Sequence, residues 1–325
     1  MVKNEVNPDN FIELWKDEEY EIIYRKSSEE FKKMIAFDHF INLASSFNKD
    51  VEQYTLFVTT ESLRGTKQFV WIDDKEEKAI SVSFNKKNHI VSLYLKPFSE
   101  GESSDSILTK NHYNMPINSQ WYVFWGGTNE FINYHYELEN QRYAYDLVKV
   151  NRGSTFNHKG LRNKDYYAFD QDIVAPFDGT VVKIQDGIKD NVPGIFNKEK
   201  PAGNFIIIKH ANQEYSMIAH LKRNSIVVAE GDSVSKGQFI AKCGNSGNSS
   251  EPHIHYQIMN THDFERAKSI RIQFTFEEPI KGDYVLENDK IMVDKFDERF
   301  DKIESSSFFL DLFLVLRKAI VQFFT

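Results

Sequence analysis

The chain has 325 residues and a formal net charge of −8. That length suits two domains, the plentiful aromatics supply a packed core, and the acidic balance argues against nucleic acid, whose phosphates need a basic face. A single cysteine, Cys243, excludes an intrachain disulfide and a cysteine-rich zinc knuckle, so any metal site must draw on histidine and carboxylate.

The first residues, Met1 to Asn7, lack an apolar h-region, and no secretory signal is expected from them. Residues 8–48 predict helices: Phe11, Leu14 and Trp15 recur at i, i+3, i+4, as do Phe31, Met34 and Ile35, although Asp38 interrupts the second series. Ser27-Ser28-Glu29-Glu30 fits a capping box with Ser27 as the cap. The period changes over 52–97, where residues 54–58, 68–72, 79–84 and 89–95 are strand-like and Asn85-Lys86-Lys87-Asn88 predicts a turn. Residues 1–97 are therefore expected to form an α+β accessory domain. Residues 98–118, rich in Ser, Glu, Pro and Asn, predict a linker.

Residues 119–290 are nearly all strand and turn. Strand-like runs at 121–125, 143–150, 178–184, 204–209, 215–220, 225–228 and 238–242 predict an all-β barrel or sandwich. The tail, 291–325, holds an apolar run from Phe308 to Phe324. A span needs about 20 apolar residues, and this shorter run contains Asp311, Arg317 and Lys318. A helix docked on the protein, or lying in a membrane surface as a peripheral contact, is expected there.

His253 and His255 flank one residue at the start of a run that alternates through Tyr256 and Ile258. Residues i and i+2 of a strand share a face, so both imidazoles enter one space. Imidazole is the commonest side-chain metal ligand. Spacing alone is equally consistent with two surface histidines on an edge strand.

Several ordered blocks carry more weight. They are Val174-Ala175-Pro176-Phe177-Asp178-Gly179, Gly203-Asn204, Ala219-His220-Leu221, residues 228–238, Gly244-Asn245-Ser246-Gly247 and Pro252-His253-Ile254-His255-Tyr256. In this order they resemble the lysostaphin-type zinc metallopeptidases, bacterial cell-wall endopeptidases with a duplicated-hybrid-motif fold. The resemblance covers roughly a third of the chain, from about Asp146 to Ile258, and says nothing of residues 1–118. It implies one zinc ion (Zn2+) per chain and hydrolysis of peptide bonds in peptidoglycan by a zinc-activated water. It implies His255 and Asp146 as metal ligands, and His253 and His220 as the two catalytic histidines. The residue types suit those roles. Imidazole and carboxylate bind zinc at about 2.0–2.2 Å and leave a position for water, while two further imidazoles can relay protons or hydrogen-bond a developing oxyanion. His220 also suits a core histidine at a strand end, and Asp146 a polar strand residue.

One position departs from the family, whose first zinc ligand is a histidine four residues before the aspartate. Arg142 stands there, and arginine stays protonated and cannot ligate zinc. A hairpin turning near Leu138-Glu139 would set His135 opposite Arg142 and bring its ring to that space. The expected metal set is then His135, Asp146 and His255. The alternative is a degenerate site in a catalytically inactive module that binds cell wall or protein. The turn Glu230 to Gly237 also resembles those of lipoyl-type carrier barrels, but no modifiable lysine sits in the expected hairpin. Location is in conflict: the sequence predicts the cytoplasm, the resemblance an extracellular or membrane-associated protein. The oligomeric state is not legible.

Overall fold

The computed structural model describes residues 5–99 and 101–291. They fall into two compact units divided at Glu100 and Gly101. In the first, four short helices, α1 (Phe11–Lys16), α2 (Tyr20–Lys26), α3 (Glu29–Met34) and α4 (Phe37–Asn48), precede the strands β1 (Tyr54–Ser62), β2 (Thr66–Asp73), β3 (Lys78–Phe84) and β4 (Ile90–Pro97). Helices of six or seven residues cannot stand by propensity; here Phe11, Trp15, Tyr20, Ile23, Phe31 and Phe40 bury themselves against Trp71, Ile80 and Phe84 of the sheet. The sheet is an antiparallel meander in sequence order. Asn85 closes the last hairpin by accepting from the Lys87 and His89 N–H groups.

The cap of α3 is Ser28, whose hydroxyl accepts from Phe31 N–H, and not Ser27 as the capping-box reading has it. The Ser27 hydroxyl is buried and donates back to the Ile23 carbonyl. α3 also ends at Met34, with Ile35 extended, so Phe31, Met34 and Ile35 do not share one continuous helix.

In the second unit the strands are β5 (Trp121–Trp125), β6 (Tyr145–Val148), β7 (Asp172–Val174), β8 (Gly179–Gln185), β9 (Asn204–Lys209), β10 (Tyr215–Leu221), β11 (Ser233–Val234), β12 (Phe239–Lys242), β13 (Ile254–Met259), β14 (Ser269–Ile270), β15 (Tyr284–Leu286) and β16 (Asp289–Ile291). One sheet runs β11-β8-β9-β10-β13-β6-β5-β15-β16 with β14 beside β13, and β7 pairs with β12. Ile206, Ile208, Ile218, Ile254, Tyr256 and Ile258 form the centre of its core with Trp121, Leu147 and Ile240. Residues 225–228 are not a strand; the chain there is irregular, with Val227 exposed and its N–H on the Ile240 carbonyl. The expected C-terminal helix lies outside the described residues. Among the described residues no helix is long and apolar enough to cross a membrane.

Residues 101–118, expected as a linker, belong to this second unit. Tyr113, Met115 and Ile117 are fully buried in its core, and Tyr113 and Ile117 bridge to Phe274 and Ile173. The cause is a buried carboxylate far along the chain. Glu214 accepts from the Lys110 and Asn111 N–H groups, the Asn111 side-chain amide and the Tyr113 hydroxyl.

Next to that clamp His210 is buried between the Asp178 carbonyl and the Ser216 hydroxyl, both at 2.8 Å. Burial lowers its pKa to about 4. The unfolded chain protonates this histidine near pH 6.5 and the folded chain does not until about pH 4, so between those values the unfolded state binds more protons. His210 should therefore cost the fold up to about 3 kcal/mol as pH falls through that window, and nothing above it. Urea unfolding of wild type and His210→Gln at pH 7 and pH 4.5 measures this. Wild type should lose more stability than the variant, and equal losses would remove the assignment.

Candidate metal centre

The site is built on β13 and its two neighbours. Ile254, Tyr256 and Ile258 turn into the core, so strand alternation sends His253, His255 and Gln257 to the opposite face. His255 pairs directly with Asp146 of β6 and with Ala219 of β10. Directly opposed residues share a face, which puts the Asp146 carboxylate beside the His255 ring at 3.0 Å from Nδ1.

His135 reaches the same place, but not through the expected hairpin. The chain forms a 3-10 turn at Tyr134–Glu137. Asn133 fixes that turn. Its side-chain oxygen accepts from His135 N–H at 3.1 Å, and its amide donates to the carbonyls of Gly127, Arg142 and Ala144. His135 is thereby buried with Nε2 3.1 Å from Asp146 Oδ2. His135, Asp146 and His255 each present one ligand atom, all within 4.8 Å of one another.

Proton bookkeeping shows that this set fits a cation. His255 lies between two acceptors, Asp146 Oδ1 at 3.0 Å and Gln257 Oε1 at 2.8 Å. His135 lies between Gln141 Oε1 at 2.9 Å and Asp146 Oδ2. A neutral imidazole has one N–H for two such contacts. His135 is held neutral by burial, its pKa lowered despite the pull of Asp146. Its Nε2, although close to Asp146, is not aligned to hydrogen-bond it and is a buried nitrogen with no hydrogen-bond partner. Burial also works against the Asp146 charge, but the His135, His255 and His253 imidazoles outweigh it and hold the carboxyl well below the usual range. Two imidazole nitrogens and an ionised carboxylate facing one buried space make a donor set that fits a positive charge between them. The Tyr134 phenol stands beside the same carboxylate, and burial and that charge together push its pKa far up.

His220 and His253 complete the cluster. Their rings lie 4.7 Å apart between centroids, and the His220 ring is 6.0 Å from that of His255. Regular alternation would turn His220 toward the core, since Ala219 faces the site. Instead His220 adopts a left-handed φ of 62°, where β10 slips register against β9. This re-aims the side chain at a backbone cost of roughly 1–2 kcal/mol. His220 Nδ1 bonds the Ser246 carbonyl at 2.8 Å and His253 Nδ1 the Glu251 carbonyl at 2.8 Å. A carbonyl only accepts, so each Nδ1 carries a proton and, in the neutral ring, Nε2 offers a lone pair. His253 Nε2 is 3.9 Å from Asp146 Oδ1. Burial, then the neighbouring His253 and His255, keep the His220 pKa well below its ordinary value. The Gly203-Asn204 block holds this corner: a Cβ on Gly203, whose φ is +62°, would meet the Ser246 carbonyl carbon at 2.5 Å.

Arg142 takes no part. Its guanidinium pairs with Glu102 at 2.9 Å and lies over the Tyr136 ring. Sequence reasoning missed Gln141 and Gln257. Gln257 was accessible, two residues past His255 on a strand, whereas Gln141 meets His135 only through the 3-10 turn.

Comparison with known proteins gives this arrangement a context. Peptidoglycan DD-endopeptidase ShyA of Vibrio cholerae is 34% identical over 26% of this chain and 21% of its own length. Peptidoglycan DD-endopeptidase ShyC of the same organism is 31% identical over 27% of this chain and 19% of its own. The chain thus spans about a fifth of the length of these curated relatives. Among solved structures, the catalytic domain of lysostaphin from Staphylococcus simulans aligns with 47% of this chain and 88% of that one, at 21% identity and a TM-score of 0.27. The family match, to peptidase family M23, covers residues 157–266. It includes His220, His253 and His255 and begins after His135, Arg142 and Asp146. Over residues 157–266 the chain is similar to peptidase family M23.

Proposed function

We propose that the chain is a zinc-dependent metalloendopeptidase that hydrolyses peptide bonds in peptidoglycan. The observation that carries this reading is the cluster itself: His135, Asp146 and His255 around one space, with His220 and His253 beside it. A zinc ion held by His135 Nε2, an Asp146 oxygen and His255 Nδ1 would supply a Lewis acid and an acidified water. The chain's own residues do the rest. The Nε2 atoms of His220 and His253, each opposite an Nδ1 tied to a backbone carbonyl, take and return protons at the scissile peptide. Asp146, ionised and buried, balances the positive charge. A peptidoglycan substrate sets the working location outside the cytoplasmic membrane, and the names of the relatives ShyA and ShyC support that substrate class.

Incubating the purified chain with peptidoglycan tests this. New free amino groups should appear, should stop with a chelator, and should return with added zinc. A chain that binds zinc and the wall without releasing amines would be the inactive binding module, and a chain that takes up no zinc would remove the reading altogether.

A further inference from the structure

We propose that Gln141 and Gln257 are positioning residues that fix the tautomers of His135 and His255 and so present one preformed lone pair of each to a divalent cation. The inference rests on the three-residue metal site proposed above and goes beyond it to what holds the two rings.

The two histidines use different nitrogens. His135 turns Nε2 to Asp146, and His255 turns Nδ1. A protein that left tautomers to chance would present the wrong nitrogen protonated for a share of the time. Each ring instead meets an amide oxygen on its far side: Gln141 Oε1 at 2.9 Å from His135 Nδ1, and Gln257 Oε1 at 2.8 Å from His255 Nε2. An amide oxygen only accepts: at His135, whose Nε2 has no hydrogen-bond partner, it draws the ring proton to Nδ1, and at His255 the Gln257 oxygen competes with Asp146 for the proton and holds it on Nε2 once a cation takes up the carboxylate. The Gln257 amide cannot turn over, because its nitrogen donates to the Asn140 carbonyl at 2.9 Å. Asn140 directly precedes Gln141. The two supports therefore form one frame, running from His255 through Gln257 to the backbone that carries Gln141, and on to His135. Being neutral, they orient the rings without a second negative charge; Asp146 is the one carboxylate in the ion-pair contacts of either ring among the described residues. Outer-shell partners of this kind change metal affinity about 10- to 100-fold when removed.

The test uses the full chain, with zinc affinity from competition with a chromophoric chelator and imidazole 15N shifts of the zinc-free protein. Gln141→Met and Gln257→Met should each weaken zinc binding about 10- to 100-fold. The double variant should fall short of the product, because the frame is shared. Wild-type shifts should report Nδ1–H for His135 and a larger Nε2–H share for His255 than Gln257→Met shows, and Gln141→Met should mix the His135 tautomers. Gln141→Glu, which keeps an acceptor, should restore the His135 tautomer. If Gln257→Met does not fold, Gln141→Met with its Glu rescue decides. Unchanged zinc affinity and unchanged shifts in the Met variants, in a protein whose His135→Ala variant has lost zinc, overturn the inference and leave the metal site standing. A wild type that binds no zinc overturns the metal site instead, and the shifts of that zinc-free protein still decide the tautomers.

Discussion

His135→Ala is expected to take the chain from about one bound zinc to essentially none, whereas Arg142→Ala keeps its metal. By sequence position the two residues exchange roles: Arg142 stands where the family places a histidine, and His135 lies seven residues earlier. Geometry separates them. His135 Nε2 is buried against Asp146 with no hydrogen-bond partner, while the Arg142 guanidinium is committed to Glu102 and the Tyr136 ring. Truncating Arg142 removes a half-exposed ion pair and a cation–π contact, about 1 kcal/mol in all. Truncating His135 removes one of three protein ligands, and a site reduced to a carboxylate and one imidazole lacks the three that catalytic zinc sites use. Metal analysis after dialysis against a weak chelator reads both variants. Zinc kept by His135→Ala would put the third ligand elsewhere, and zinc lost from Arg142→Ala would tie the site to the Glu102 pair. Circular dichroism of each variant separates a lost ligand from a lost fold.

That His135 meets Asp146 at all shows how unevenly the site could be read from sequence. Strand alternation was enough to set His253 and His255 on one face, because Ile254 and Tyr256 need the core on the other. The hairpin argument brought His135 toward Asp146 through a ribbon that the chain does not form. Period and turn residues suggested a two-stranded ribbon, but the buried Asn133 amide finds three carbonyls, at Gly127, Arg142 and Ala144, and these hold the chain in a 3-10 turn. Such a partner set exists only after β5 and β6 have come together, so no local pattern encodes it. The same holds for residues 101–118. Their polar composition predicts a linker, and what draws them into the second unit is Glu214, a hundred residues away, whose buried carboxylate needs the donors that Lys110, Asn111 and Tyr113 supply. His220 is the third case. A strand pattern would bury its ring in the core, and only the left-handed φ at the register slip turns it toward His253 and His255. In each case a buried polar group or a strained backbone, satisfied at long range, overrides the local signal.

His220→Ala and His253→Ala should keep the zinc and lose turnover, by about 10²- to 10⁴-fold each. Neither Nε2 is among the three ligand atoms. Both rings are instead tied through Nδ1 to backbone carbonyls of the loop between β12 and β13, Ser246 for His220 and Glu251 for His253. That tether places a proton on Nδ1 of each ring and leaves Nε2, in the neutral ring, as the atom that can take a proton. The rings lie against each other, with centroids 4.7 Å apart, and two groups serving one bond give losses that do not add. The double variant should be about as slow as the slower single one. Amine release from peptidoglycan under single-turnover conditions, at matched zinc content, measures all three. A fully additive double variant would mean two independent roles, and a His220→Ala variant that loses zinc along with activity would make His220 a ligand. Equal zinc with unchanged turnover in both single variants would leave the pair as packing, and with it the whole chemical reading of the strained His220 backbone would fall.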